Sequence, residues 1–403
     1  MRRLILTDPL LRAALRALRE APAAALALSV GVCRLAPDRE DLLARSFRPI
    51  PWPPPADLRP EEAVLLRWGA TALPGPETRG RALWILEGNP VGPPRLHGLD
   101  GLAVIGPGMP LWPDPPAPEP SARWVRTRGA LGEAAWRRLA AARYGIIGCG
   151  RTGSLLAEAL AAAGARSLVL VDPDRLEPGN LGEMVALPEE AIGRPKGEVL
   201  AEALRARFPW VEPEPVTTSV AARPALRLLR TCDLLISAVD RDAARLAVGI
   251  LGALYLKPVL DVGSGIGLPG APQWIGAEAR LILPGDGCLE CWGGVAESRR
   301  AGEALARAVE ADLLPPPRAG SLRSLNMAIV GLALRLWEDL LTGMLRRSAW
   351  IRVTWANGIP DLRSMLPPPR PDCPLCAQRG MGDAGLAALP PLLQALAGAR
   401  GVE

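Results

Sequence analysis

The 403-residue chain contains one histidine, His97, and only two lysines, Lys196 and Lys257. His97 reads as a surface-loop residue rather than a ligand or a base. No uncharged apolar run reaches the roughly 18 residues of a bilayer span, so neither a transmembrane segment nor a membrane partner is expected. The opening MRRLILTDPLLRAALRALRE carries charge throughout its apolar part. That argues against a secretory signal and for a cytoplasmic protein. The net charge of +5 rests almost wholly on arginines, which are interspersed with acids and Ala/Leu rather than bunched. Solvated helix faces explain such a pattern better than nucleic-acid binding. Cys33, Cys149 and Cys232 stand alone in apolar or glycine contexts and read as buried free thiols.

The length suffices for two domains and a large core. Residues 1–108 form a first α+β block, with a helix over Leu10–Arg19, strand-like runs at Ala25–Val32, Ala82–Leu86 and Leu102–Ile105, and proline-rich breaks. Residues 109–123 include MPLWPDPPAPEPS, too rich in proline to pack as an element, and read as a linker. Residues 124–403 form the second block. Its centre is Tyr144–Asp174, which reads as one β-α-β unit around Gly148-Cys149-Gly150-Arg151-Thr152-Gly153. Gly148 permits a tight turn, Gly150 admits a phosphate to the backbone, Gly153 lets helix pack on strand, and Arg151 opens a helix whose free N–H groups favour anions. Asp172 lies where a strand-end carboxylate accepts ribose hydroxyls.

Strands expected at Glu214–Val220, Asp233–Val239 and Val259–Gly263 alternate with helices at Lys196–Arg207 and Arg241–Leu254. A helix over Leu131–Ala142 precedes them. Later come strands at Trp274–Leu283 and Trp350–Trp355 and helices at Val295–Leu314 and Ser321–Leu345. The alternation predicts an α/β fold with a doubly wound, mostly parallel sheet.

Downstream of Asp172 the chain reads Asp174-Arg175-Leu176-Glu177-Pro178-Gly179-Asn180-Leu181, then Gly193-Arg194-Pro195-Lys196, then Asp233-Leu234-Leu235-Ile236-Ser237-Ala238-Val239-Asp240. In this order the motifs resemble the ThiF/MoeB family of adenylating enzymes, related to ubiquitin-activating enzymes, over roughly residues 124–376. The resemblance implies a Rossmann-like ThiF fold that binds ATP on the glycine loop and holds its ribose at Asp172. Asn180, Lys196 and Asp240 match positions that handle triphosphate and magnesium. The chemistry suits them: attack of a carboxylate on the α-phosphate needs a cation against developing charge (Lys196) and a carboxylate for Mg2+ (Asp240). Asn180 can donate to a phosphate oxygen, and Asp174 can bind near the metal. The plain alternatives are a solvated lysine at a helix start and an acid capping the next helix. Arg128 is the match for an arginine that reaches ATP from a partner subunit. One departure stands out: Glu183 replaces a phosphate-binding arginine, and a carboxylate there repels a triphosphate unless Mg2+ or another arginine intervenes.

Cys288-Leu289-Glu290-Cys291 and Cys373-Pro374-Leu375-Cys376 are two C-x-x-C knuckles, suited to one tetrahedral Zn2+. Four thiolates leave no open coordination position, so the zinc is structural. A redox role is the alternative. The family resemblance implies that the distant pairs meet. No cysteine lies between Cys291 and Cys373, so no thioester acceptor is expected there.

In the first block, Glu87-Gly88-Asn89-Pro90 and His97-Gly98-Leu99-Asp100 resemble the JAB/MPN signature in spacing. Only Pro90 and Asp100 keep its residues, so a degenerate domain without hydrolytic zinc is implied. We therefore expect ATP-dependent adenylation of a carboxylate, foremost the C-terminus of a ubiquitin-like or sulfur-carrier protein, by a homodimer. Adenylation of a ribosomal peptide or another small carboxylate, and a non-catalytic nucleotide-binding scaffold, are the alternatives.

Overall fold

The computed structural model describes residues 2–21, 25–50, 64–68, 82–86, 95–97, 99–116, 122–184, 187–266, 275–295, 322–356 and 358–388. Two eight-stranded sheets organise them. The first is made by β1 (Arg2–Thr7), α1 (Asp8–Glu20), β2 (Ala25–Ala36), β3 (Arg39–Ile50), β4 (Val64–Trp68), β5 (Ala82–Leu86), β6 (Arg95–His97), β7 (Gly101–Ile105) and β8 (Leu111–Trp112). Its strand order is β6-β5-β4-β2-β3-β1-β7-β8. Side chains alternate across a strand, and β1 uses both faces. Leu4 and Leu6 pack with Ala14 and Leu18 of α1 and with Leu26, Leu28 and Leu102. Ile5 points the other way, joining Cys33, Leu43, Ala103 and Ile105 in the core of the second sheet.

The expectation that residues 109–123 are too proline-rich to pack fails at their start. Leu111 and Trp112 pair with Ala103 and Leu102, and Met109 is buried. The four residues MPLW are apolar enough to finish a sheet edge before the prolines accumulate. Residues 117–121 lie outside the described residues, as do Glu87, Asn89 and Pro90 of the JAB-like motif and the side chain of His97. Asp100 is described, and its Oδ2 accepts the Arg2 N–H at 2.5 Å.

The second sheet contains β9 (Arg143–Ile147), β10 (Ser167–Val171), β11 (Glu212–Val216), β12 (Leu234–Ser237), β13 (Val259–Ile266), β14 (Ile275–Ile282), β15 (Ala349–Ala356) and β16 (Ile359–Met365). Its order is β11-β10-β9-β12-β13-β14-β15-β16. The first five strands are parallel and the last three antiparallel. The parallel part therefore runs third, second, first, fourth, fifth in chain order, the doubly wound arrangement in which ligands sit between the first and fourth strands at their carboxyl ends.

Helices cover both faces: α2 (Val125–Leu131), α3 (Glu133–Ala141), α4 (Arg151–Ala163), α5 (Pro178–Leu181), α6 (Lys196–Arg207), α7 (Arg223–Leu229), α8 (Asp242–Leu254), α9 (Arg323–Thr342), α10 (Pro374–Ala377) and α11 (Gly382–Ala387). The single helix expected over Leu131–Ala142 is split, because Gly132 at φ +80° ends α2 and precedes α3. The strand expected at Glu214–Val220 is shifted to Glu212–Val216, an edge position where Pro213 and Pro215 are tolerated. The helix expected at Val295–Leu314 lies outside the described residues beyond Val295. Helix α9 is a core element on one face, burying Leu325, Ile329, Ala333, Trp337 and Leu340.

The carboxyl end of α4 is held by three indoles. Trp210, Trp124 and Trp136 donate from Nε1 to the carbonyls of Ala161, Ala162 and Ala163 at 2.9, 3.0 and 3.0 Å. The Ala161 carbonyl also accepts the Gly164 N–H at 3.0 Å, and the indoles give the last turn of the helix, whose carbonyls lack ordinary helical partners, side-chain donors.

The first sheet is stitched to the second by the segment after Cys376. Val32 forms a bridge with Gly382, the Arg34 N–H donates to Asp383 Oδ2 at 2.8 Å, and Tyr255 Oη donates to Asp383 Oδ1 at 2.9 Å. Arg230 pairs with the same carboxylate at 3.1 Å. At the crossing a Cβ on Gly31 would stand 2.0 Å from the Gly380 carbonyl oxygen.

Gly31→Ala must therefore push backbone apart, and we expect it to lower unfolding stability by about 1–3 kcal/mol in urea titrations. Alkali should also loosen this region. Burial pushes the Cys33 and Cys232 thiols up to about 12, from an ordinary value of 9.0. Their neutral form is favoured by folding, so that stability is complete below about pH 9 and is lost as pH rises towards about 12. Urea midpoints measured from pH 8 to 11 should fall, and fall less in a Cys33→Ala/Cys232→Ala variant.

Candidate nucleotide site and cysteine cluster

Strand β9 ends in the turn that the glycines make possible. Gly148 has φ +91°, and its N–H donates to the Val171 carbonyl at 2.9 Å. A Cβ on Gly153 would lie 1.8 Å from the Gly148 carbonyl oxygen, so glycine there is what lets α4 start against the strand. A Cβ on Gly150 would meet nothing within 4 Å. The space beside that backbone is open, at the amino end of α4 with Arg151 as its first residue.

Asp172 follows β10 and is 5 % exposed. Its Oδ2 accepts the Cys149 N–H at 2.7 Å and its Oδ1 the Asp174 N–H at 2.8 Å. The carboxylate therefore ties the glycine turn to the loop after β10, a role that residue spacing did not indicate. Burial pushes its carboxyl above the ordinary range, while the Lys196 ammonium and the two N–H groups act against that rise.

Lys196 begins α6 and is buried. Its Nζ is 3.0 Å from Asp174 Oδ2, and its backbone N–H donates to the Asp174 carbonyl at 2.9 Å. It is thus no solvated helix-start lysine. Asn180, in α5, accepts the Glu177 N–H on Oδ1 at 3.0 Å, which leaves its amide NH2 as the donating end.

Asp240, beyond β12, is exposed. The residue that caps α8 is Arg241, so the capping alternative fails. Gly148 and Ala238 bring the two loops together, since a Cβ on Gly148 would be 2.5 Å from the Ala238 carbonyl oxygen. The glycine loop, Asp172, Asp174, Lys196 and Asp240 consequently lie around the carboxyl ends of β9, β10 and β12.

Arg128 takes a different position. Its guanidinium pairs with Glu133 at 2.7 Å and sits 5.2 Å from the Trp136 ring, within its own chain. Glu183 has a buried Oε2 with no hydrogen-bond partner among the described residues. Arg323 at the start of α9 donates to the carbonyls on either side, Met184 at 2.8 Å and Gly182 at 3.4 Å. It brings an arginine beside Glu183 from about 140 residues away along the chain. Arg245 Nε binds the Val239 carbonyl at 3.2 Å and steadies the Asp240 loop. Neither arginine carries a sequence signal in so arginine-rich a chain.

The two cysteine pairs do meet. Cys288 Sγ is 3.7 Å from Cys291 and 3.5 Å from Cys373, and Cys291 is 3.6 Å from Cys376. All four sulfurs lie within 4.8 Å of one another. A tetrahedron with metal–sulfur bonds of about 2.3 Å has edges of about 3.8 Å, so the set fits one ion bound by four thiolates. Arg370 lies 4.0 Å from Cys373 Sγ and 3.1 Å from Glu290, a cation beside sulfurs that carry excess negative charge when ionised. Hydrogen bonding to Cys288, and to Cys376, holds the Cys373 thiol below its ordinary value.

A model of the ThiF family matches residues 124–352. The chain is 32% identical over 130 residues to the sulfur carrier protein adenylyltransferase of Thermus thermophilus, covering 32% of this chain and 48% of that protein. It is 35% identical over 134 residues to the adenylyltransferase and sulfurtransferase MOCS3 of Bos taurus, covering 33% and 30%. It thus spans less than half the length of either relative. In fold it is similar to Escherichia coli MccB, solved with ATP, at a TM-score of 0.50 and 18% identity over 65% of this chain and 76% of that one. Among the described residues no helix is long and apolar enough to cross a membrane.

Metal removal tests the cluster. The folded protein should yield one zinc per chain, and a chelator strong enough to strip it should expose Cys288, Cys291, Cys373 and Cys376 to a thiol reagent at pH 8 while Cys33, Cys149 and Cys232 stay unreactive. Cys373→Ser should lose the metal. Metal-free, folded protein with four slow thiols would contradict the assignment.

Proposed function

The chain belongs to the ThiF family, and from that premise we propose that it is an ATP-dependent adenylyltransferase that activates a carboxylate. The observation that carries this reading is the convergence of the glycine loop, Asp172, Asp174, Lys196 and Asp240 at the carboxyl ends of β9, β10 and β12. In the proposed reaction a carboxylate oxygen bonds to the α-phosphorus of ATP, the α–β phosphoanhydride bond breaks, and pyrophosphate leaves. The amino end of α4 and the Gly150 backbone receive phosphate. Lys196 offsets charge that builds on it, Asn180 donates an N–H, and Asp172 and Asp174 face the ribose and metal side. Asp240 would hold Mg2+, which supplies positive charge to the phosphates.

The carboxylate we favour is the C-terminus of a ubiquitin-like or sulfur-carrier protein, in line with the name of the Thermus thermophilus relative. A ribosomal peptide is the alternative substrate. Zinc in the four-cysteine cluster is structural, since it steadies the segment that carries Gly380, Gly382 and Asp383 to the first sheet. We assign residues 1–108 to a degenerate JAB-like domain, residues 109–123 to a connector and residues 124–403 to the adenylation domain. The use of Asp100 as a backbone acceptor supports the loss of a metal role. We place the protein in the cytoplasm as a homodimer. Its outer strand β16 exposes Ile359 and Leu362, apolar groups suited to cover by a second copy.

One observation favours a non-catalytic nucleotide-binding scaffold: the unpartnered carboxylate oxygen of Glu183. Pyrophosphate exchange into ATP separates the readings. With a carrier protein ending in Gly-Gly, exchange should be measurable, and Lys196→Ala should slow it by about 10²–10³-fold. ATP binding without exchange for any protein or peptide carboxylate would leave the scaffold.

A further inference from the structure

A cavity of about 490 Å³ lies between the two sheets, within the range of small-molecule sites. One wall is the inner face of the first sheet, at Ile5 and Ile105. The opposite wall is the amino end of the second sheet, where Arg143 and Ser167 begin β9 and β10 and Asp233 precedes β12. The nucleotide site is at the other end of the same strands, separated by roughly 15 Å of sheet. The cavity therefore belongs to no part of the adenylation machinery.

Its charge is unbalanced. Arg3, Arg39, Arg138, Arg143 and Lys257 line it against a single acid, Asp233. Three of these cations have acids of their own: Arg3 is held by Asp41 at 2.9 Å and lies 3.8 Å from Asp233, Arg143 is held by Glu214 at 2.5 Å and Arg138 by Asp114 at 3.6 Å, while the fourth, Arg39, is exposed to solvent. Lys257 is 3 % exposed, and its Nζ makes no hydrogen bond or ion pair among the described residues. Cys33 and Cys232 stand near it, but both thiols are held neutral by burial and supply no countercharge. The nearby carboxylate of Asp383 is already taken by Arg230 and Tyr255. The rest of the Lys257 side chain is buried, so its Nζ meets solvent only where the cavity admits it, and an anion entering the cavity would gain an ion pair with it beside apolar walls. One unmatched cation calls for one negative charge, and the remaining walls, with Leu111, Trp337 and Leu341, call for an apolar body.

We propose that this cavity binds a small amphipathic carboxylate, a medium-chain acyl anion whose head pairs with Lys257 and whose chain lies between the sheets. The test uses the full chain and titration calorimetry with decanoate, and with 1-decanol as its uncharged counterpart. Wild-type protein should take up one decanoate per chain and bind 1-decanol at least tenfold more weakly. Lys257→Met keeps the length of the side chain and should weaken decanoate at least tenfold, while its ligand-free Tm stays level or rises because the unmatched charge is gone. Ile105→Trp retains Lys257 but fills the cavity and should also lose decanoate, so a variant that fails to fold at one position leaves the other to decide. The proposal is overturned if wild-type protein shows no saturable one-to-one binding, if 1-decanol binds as well as decanoate, or if either folded variant binds decanoate like wild type.

Discussion

The two hydrogen bonds to Asp172 are the constraint on which the site depends. A carboxylate 5 % exposed carries a desolvation cost that the Lys196 ammonium and short, directed donors offset, and the Cys149 and Asp174 N–H groups are those donors. Through them the turn after β9 and the loop after β10 are held as one piece. Asp174 then passes the restraint to Lys196, which it contacts through both backbone and side chain. Remove Asp172 and three loops lose their common anchor. An acid in the strand-end position thus serves the protein's own backbone before any nucleotide arrives, and a ribose would meet a carboxylate already fixed in place.

The far end of α4 is under equal control. A helix amino end directs its N–H groups at an anion only if the helix cannot slide or tilt. Gly153 sets how closely α4 approaches β9, while Gly164 at φ +113° and the indoles of Trp124, Trp136 and Trp210 close its carboxyl end. The three rings also pack on each other, with centroids 5.0 Å apart for Trp124 and Trp210 and 5.6 Å for Trp124 and Trp136. One aromatic cluster therefore contributes both apolar burial and side-chain donors to the last carbonyls of the helix.

These layers differ in how far sequence reveals them. The glycine turn, helix α6 and strand β5 were legible residue for residue, because each depends on local rules: glycine at positive φ, a proline before a helix start, a short apolar run. The tetrahedral approach of two cysteine pairs some 85 residues apart was legible only through resemblance, since spacing alone says nothing of what the intervening chain does. Arg323 and Arg245 were invisible, for an arginine that binds a distant carbonyl looks like any other in a composition dominated by arginine. The split at Gly132 and the pairing of Leu111 and Trp112 were misread because a periodic pattern and a proline count each outweighed one local detail.

The same distinction explains why the two sheets share a core although the chain reads as two blocks. Period-two alternation announces that a strand has two faces, but not that both are buried. In β1, Leu4 and Leu6 serve α1 while Ile5 serves the second sheet, so the first sheet is a layer between two partners. A layer so placed cannot move freely against the second sheet, and the bridge at Gly382 together with the Asp383 contacts fastens it on a second side. The four-cysteine cluster lies a few residues before that fastening. The four cysteines and the seating of the first sheet are accordingly linked through one short stretch of chain.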